Sequence, residues 1–170
     1  QVIDSGIKVL KIEGRGRAAD YVATVIKTYR EAIDSYYEGT FTKEKINTWM
    51  EALATVYNRG FWSGYYLGQK LGEWSDNPGS NATQKKVYVG KGMHYFPKSN
   101  IAEFKIEAYD IKKGDKILIT GPSTGAQELI LEDFFVNDAT SEKATKGDSC
   151  TLKVPFRIRL SDKMYKIVEN

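Results

Sequence analysis

The chain has 170 residues, 28% of them charged and 41% hydrophobic, with a formal net charge of +3. That length can bury a real core, in one domain or in a small domain with an appendage, and the composition is ordinary for a globular chain. The 25 basic residues are nearly matched by 22 acidic ones, so charge permits an anionic partner without arguing for one.

A single cysteine, Cys150, excludes an internal disulfide and fits a reducing compartment, so the expected location is cytoplasmic. No apolar run approaches the roughly 20 residues that cross a bilayer, so no membrane partner is expected. Residues 1–6 read as the end of a helix closed by Gly6. Ile7-Lys-Val-Leu-Lys-Ile-Glu13 then reads as a strand, apolar at 7, 9, 10 and 12. Gly14-Arg-Gly-Arg17 makes a tight turn into a helix over 18–37, with Val22, Val25, Ile26, Tyr29, Ile33 and Tyr36 on one stripe. A strand, a glycine turn and a helix form half of a parallel βαβ unit, and such a strand needs neighbours. No later segment repeats the pattern. The opening is therefore expected to be the C-terminal remnant of a larger α/β domain.

Thr42 is a good N-cap for a second helix to about Asn58, with Phe41 and Ile46 as a hydrophobic staple. Ile46, Trp49, Met50, Leu53 and Val56 make its apolar stripe. Residues 59–68 hold four aromatics among three glycines, which predicts a structured crossing rather than a helix. The polar stretch that follows predicts a linker. Three parts result: residues 1–70, a linker over 71–84, and a β domain over 85–170.

In the third part short strands and turns replace helices. Residues 101–108 alternate, with Phe104 and Ile106 on one face. Gly114-Asp115, Gly147-Asp148 and Ser161-Asp162 each stand just before an apolar run, a turn that launches a strand. Five or six short antiparallel strands predict a small closed β-barrel, which leaves no exposed edge. The fold class is α+β.

Several short motifs occur in a fixed order. They are Lys11-Ile-Glu-Gly-Arg15, Tyr21-Val-Ala-Thr-Val25 with Tyr29-Arg-Glu-Ala-Ile-Asp34, Asn58-Arg-Gly-Phe61 with Gly64-Tyr-Tyr-Leu-Gly68, Val87-Tyr-Val-Gly90, and Ile111-Lys-Lys-Gly-Asp115. Together they resemble the C-terminal region of peptidase family U32, the collagenase-like proteases. The resemblance implies that the strand and two helices are a remnant of a TIM-like catalytic barrel. It also implies that the β domain is similar to the second domain of translation elongation factors. Full-length members are expected to carry an iron–sulfur cluster in the N-terminal part. One thiol cannot supply the roughly four ligands of such a cluster, so no cofactor is expected in this chain. Some relatives are linked to hydroxylation of RNA or of the ubiquinone ring, and others are known as collagenases.

Candidate site residues follow. Glu13 and Arg15 stand at the C-terminal end of a predicted parallel strand, where barrel enzymes place their chemistry. They are the pocket-edge candidates, against the alternative of an ion pair closing the turn. Arg15 and Arg17 flank a helix N-terminus suited to an anion. Arg59 is a further binding candidate, against bonding of carbonyls at the helix end. Lys85, Lys86, Tyr88, Lys91, Tyr95, Lys112 and Lys113 could pair phosphate contacts with stacking on RNA, or form a partner surface. The plainer reading is a solvated face. His94 is expected at the surface and Cys150 in the core.

The expected function is a C-terminal accessory region, inactive alone, that binds substrate or partner for a U32 peptidase. Its expected partners are the N-terminal catalytic domain and an RNA or protein substrate. The alternatives are the C-terminal domain of an iron–sulfur RNA-hydroxylating enzyme of the same family, or a structural dimerisation module.

Overall fold

Residues 18–37 have the spacing of a helix and residues 39–42 the chemistry of a stop and a restart. The computed structural model, which describes residues 2–61, 68 and 79–170, follows that reading. The chain divides into two compact units, Gln1–Leu53 and Ala54–Asn170. The first holds α1 (Ala19–Tyr37) and α2 (Lys43–Ala54) except Ala54, the last residue of α2, which falls in the second unit. Asp20 lies in the first turn of α1, where the helix dipole favours an anion. At the far end the Gly39 N–H bonds the Tyr36 carbonyl at 3.1 Å and the Thr40 N–H bonds Ser35 at 2.8 Å. Gly39 has φ +69°, so the pair of bonds is a Schellman stop that a residue with a Cβ would resist. The Lys45 N–H then donates to Thr42 Oγ1 at 3.3 Å, the N-cap bond of α2.

Three expectations change here. First, α2 ends at Ala54 rather than near Asn58, because the Ala54 carbonyl accepts from the Thr83 N–H at 2.9 Å and from Asn58 Nδ2 at 3.4 Å. Second, the stripe of α1 divides. Val25 is buried together with Thr28 and Ser35, whereas Ile26, Tyr29 and Tyr36 are exposed. Lys45 explains the choice of face: its ammonium lies 3.0 Å from Ser35 Oγ and 2.8 Å from Thr40 Oγ1, so the polar edge of α1 is turned to α2. Third, residues 7–13 are not a strand. None of them makes a main-chain hydrogen bond among the described residues, because no neighbouring strand is there to accept one. The expected aromatic crossing and most of the expected linker lie outside the described residues.

The second unit is a β structure. Its strands are β1 (Gln84–Phe96), β2 (Ile101–Ile106), β3 (Ile111–Lys112), β4 (Lys116–Gly121), β5 (Gly125–Ile130), β6 (Phe134–Val136), β7 (Ala139–Ser141), β8 (Lys143–Ala144), β9 (Ser149–Lys153) and β10 (Lys163–Glu169). Eight pair antiparallel in the order β5-β4-β10-β1-β2-β9-β6-β7, and β3 pairs with β8. No ladder joins β5 to β7 among the described residues, so the recorded pairing is an open order rather than the closed ring expected.

The repeated turns explain the registers. Asp115, Asp148 and Asp162 each accept, through Oδ2, the N–H three residues back, from Lys112, Thr145 and Arg159 at 2.8, 2.7 and 2.8 Å. Their own N–H groups bond the carbonyls of the same three residues. Gly114, Gly147 and Ser161 before them all have positive φ. One device therefore launches β4, β9 and β10. Buried residues alternate along β2 (Ala102, Phe104, Ile106) and β9 (Cys150, Leu152), and these join Val89, Ile117, Ile119, Phe134 and Met164 in one core cluster. Among the described residues no helix is long and apolar enough to cross a membrane.

Candidate functional site

The turn before α1 carries the first candidates. Glu13 Oε1 accepts the Arg15 N–H at 2.8 Å, and the Arg17 N–H bonds the Gly14 carbonyl at 3.0 Å. Gly16 has φ +71°, and a Cβ on Gly14 would meet Val22 Cγ2 at 3.0 Å, so the glycines set the turn against the helix. The Glu13 carboxylate is thus engaged by its own turn, through the Arg15 backbone rather than the Arg15 guanidinium. Arg17 stands 5.9 Å from the centre of the Tyr21 ring, in reach of a cation–π contact. Arg15 is exposed.

Arg59 donates through Nε to the Tyr57 hydroxyl at 2.8 Å, whereas the carbonyl of Ala54 at the helix end, and that of Val56 beyond it, accept from Asn58 Nδ2. Between α1 and α2 lies an open groove of about 410 Å³. Glu31 and Asp34 line it from α1, Glu38 from the C-cap of α1, and Lys45, Thr48 and Trp49 from α2. Trp49 Nε1 donates to Glu31 Oε2 at 3.3 Å, and Arg30 pairs with Asp34. Their i, i+3, i+7 spacing along α1 was visible in the sequence; that α2 closes the groove was not.

In the β unit the basic and aromatic candidates fall into pairs. The Tyr88 hydroxyl donates to Glu107 Oε2 at 2.5 Å, and Lys91 Nζ stands 2.8 Å from the same carboxylate. Burial, then the Glu107 bond, pushes the Tyr88 phenol up to about 12, and the Lys91 bond first, then Tyr88, holds Glu107 below the usual carboxylate range. Tyr165 faces Tyr88 across the β1–β10 ladder, with ring centres 5.7 Å apart, and Lys86 Nζ lies 5.3 Å from the Tyr165 ring centre. Lys113 pairs with Asp133 at 2.5 Å, which raises its pKa, and the Tyr95 hydroxyl donates to Asn100 at 2.9 Å. Lys85 and Lys112 are exposed. Lys86, Tyr88 and Lys91 therefore come together, and Tyr95 and Lys113 have separate partners. Glu107 and Tyr165 were missed by the sequence reading, since only the strand register brings them beside Tyr88.

Cys150 is buried, and burial first, then Asp148 and Glu103, pushes its thiol up to about 12. His94 is exposed, its ring centre 4.4 Å from that of Phe96. The two lie on strands separated by β2, and no thiolate–imidazole pair forms. Among the described residues no three His, Cys, Asp or Glu side chains gather where they could hold a metal ion.

Residues 1–76 match peptidase family U32. A collagenase of Porphyromonas gingivalis is 50% identical over 166 residues, which is 98% of this chain and 40% of that protein. The chain belongs to peptidase family U32. It matches the C-terminal region of the family, and it spans about two fifths of that collagenase. This U32 chain is also 30% identical over 148 residues to tRNA hydroxylation protein P1 of Bacillus subtilis, covering 86% of the chain and 34% of that relative. A solved C-terminal domain of a Geobacillus thermoleovorans "putative U32 peptidase" is similar at 19% identity, over 46% of this U32 chain and 96% of that domain, with a TM-score of 0.44.

Proposed function

We propose that this chain is the C-terminal accessory region of a U32-family peptidase, binding substrate or partner for a catalytic domain and inactive by itself. The observation that carries the reading is the 50% identity to a collagenase across 98% of the chain. The engaged Glu13 carboxylate and the buried Cys150 thiol support a binding role over a catalytic one. We read the β unit as a sheet curled into a small barrel like the second domain of translation elongation factors. One core cluster drawn from both ends of the strand order supports the curl. The unpaired thiol supports a cytoplasmic setting.

The test is gelatin cleavage by a full-length family member with and without this region, and by this chain alone. The expected result is no cleavage by the chain alone and at least a tenfold loss on deletion. Cleavage by the isolated chain overturns the reading.

A second reading is favoured by the tRNA hydroxylation relative: the region delivers RNA to a hydroxylating enzyme of the same family. The cluster of Lys86, Lys91, Tyr88 and Tyr165 would then be its contact surface. Binding of a tRNA that weakens steeply with salt supports this reading, and no binding at low salt removes it.

A further inference from the structure

The outer face of the sheet carries a row of like charges. Lys163, Lys91 and Lys105 stand directly opposite one another on β10, β1 and β2. Met164, Phe104 and Ile106 beside them are buried in the core cluster, so this rung points outward. Like charges directly opposite destabilise a sheet. Elsewhere in the β unit Lys113, Lys116, Lys143 and Lys166 each pair with a carboxylate. In this row only Lys91 does, with Glu107 at 2.8 Å. Lys105 bonds the Gly147 carbonyl, and neither it nor Lys163 has a carboxylate in ion-pair reach among the described residues.

Beyond the lysines the same face is apolar where a solvated sheet is usually polar. Ala102, Cys150, Leu152 and Phe134 point into the core, so the residues between them point out. Tyr95 packs on that core, which leaves His94 and Phe96 on the outer side of β1. One outward rung runs His94–Glu103–Thr151–Phe135, and the next runs Phe96–Ile101–Lys153. Phe96 is 44% exposed and Phe135 46%, so the fold covers neither ring. Three strand spacings, about 14 Å along the sheet, separate β1 from β6 and hence the two rings. Glu103, the one carboxylate on these rungs, is held by the Ser149 hydroxyl at 2.7 Å.

We infer that this face binds an unpaired stretch of RNA, its phosphates along Lys163, Lys91 and Lys105 and its bases stacked on Phe96 and Phe135. An anion laid along the row removes the repulsion between the lysines, and the exposed rings accept planar groups. Single-stranded RNA carries both on one backbone. A second copy of this chain would set the same lysines against one another. The assignment rests on the reading in which the region delivers RNA. It extends the contact from Lys91 across β2 to β6, and it specifies unpaired bases.

The test is binding of a labelled oligouridylate, a blunt RNA duplex and a tRNA to this chain at low salt. Oligouridylate is expected to bind more tightly than the duplex. Phe96→Ala and Phe135→Ala are each expected to weaken it about tenfold. Lys163→Gln is expected to lower the log–log salt slope by about 0.7 and, without RNA, to raise the melting temperature as the repulsion is relieved. Duplex bound as tightly as oligouridylate overturns the inference, as do phenylalanine variants that bind like the parent chain. Binding of tRNA without oligouridylate overturns this inference alone, whereas no RNA bound at low salt removes the RNA-delivery reading with it.

Discussion

Asp162 shows how much one side chain can fix. It is buried, and its Oδ2 accepts both the Arg159 N–H at 2.8 Å and the Thr124 hydroxyl at 2.5 Å. It also occupies the space beside Gly121, where an added Cβ would meet Oδ1 at 1.8 Å. Asp162→Ala removes the acceptor and leaves donors unmet, so a loss of about 2–3 kcal/mol in urea unfolding is expected. Gly121→Ala should be destabilising through the same contact. Cys150 gives a pH prediction. Its folded pKa of about 12 lies above the reference value of 9.0, so the unfolded thiol ionises first as pH rises. Its contribution to stability is complete below about pH 9 and is lost between pH 9 and 12. The thiol's own share is a loss of about 1.4 kcal/mol per pH unit in that window. Cys150→Ala should remove that share, leaving the fall that Tyr88 causes between about pH 10 and 12, where its pKa is raised in the same direction. Equal slopes in both proteins would show that the thiol is not shielded.

At the scale of elements, caps and turns were more legible than faces. Thr42 and Gly39 were read as the start and stop of neighbouring helices, and both make the hydrogen bonds that define those roles. Thr42→Ala should cost about 1 kcal/mol, seen as a lower helical signal in circular dichroism at a fixed urea concentration. The β6–β7 connection is the two residues Asn137 and Asp138, both at positive φ, as a primed hairpin turn requires. Glycine fits the second position without the Cβ penalty, so Asp138→Gly is expected to raise stability by up to about 1 kcal/mol. The stripe of α1 was misjudged for a physical reason. Periodicity marks which side chains want burial, but a lysine from α2 selected the face carrying Ser35 instead. The paired Tyr88 and Tyr165 were illegible because they are 77 positions apart and meet only through the β1–β10 register.

Over the whole molecule the two units differ in what holds them. No residue of α2 is buried, and α1 buries only Val25, Thr28 and Ser35, whereas the β unit encloses a continuous apolar cluster. Burial of apolar area is the main stabilising contribution, so local stability should follow it. In exchange measurements on the chain alone, amides of α1 and α2 should open at lower free energy than those of β1, β4 and β10. Equal protection in helices and sheet would contradict this. The sequence by itself determined the starts of both helices, the stop of α1, the three aspartate turns and the order of the family motifs. All of these rest on residues close together in the chain, where capping and turn chemistry act. Tertiary structure alone decided which face of α1 is buried, which lysines are paired, and that Ile7–Glu13 has no strand beside it among the described residues. Those outcomes depend on what is packed nearby, and no local pattern specifies a neighbour.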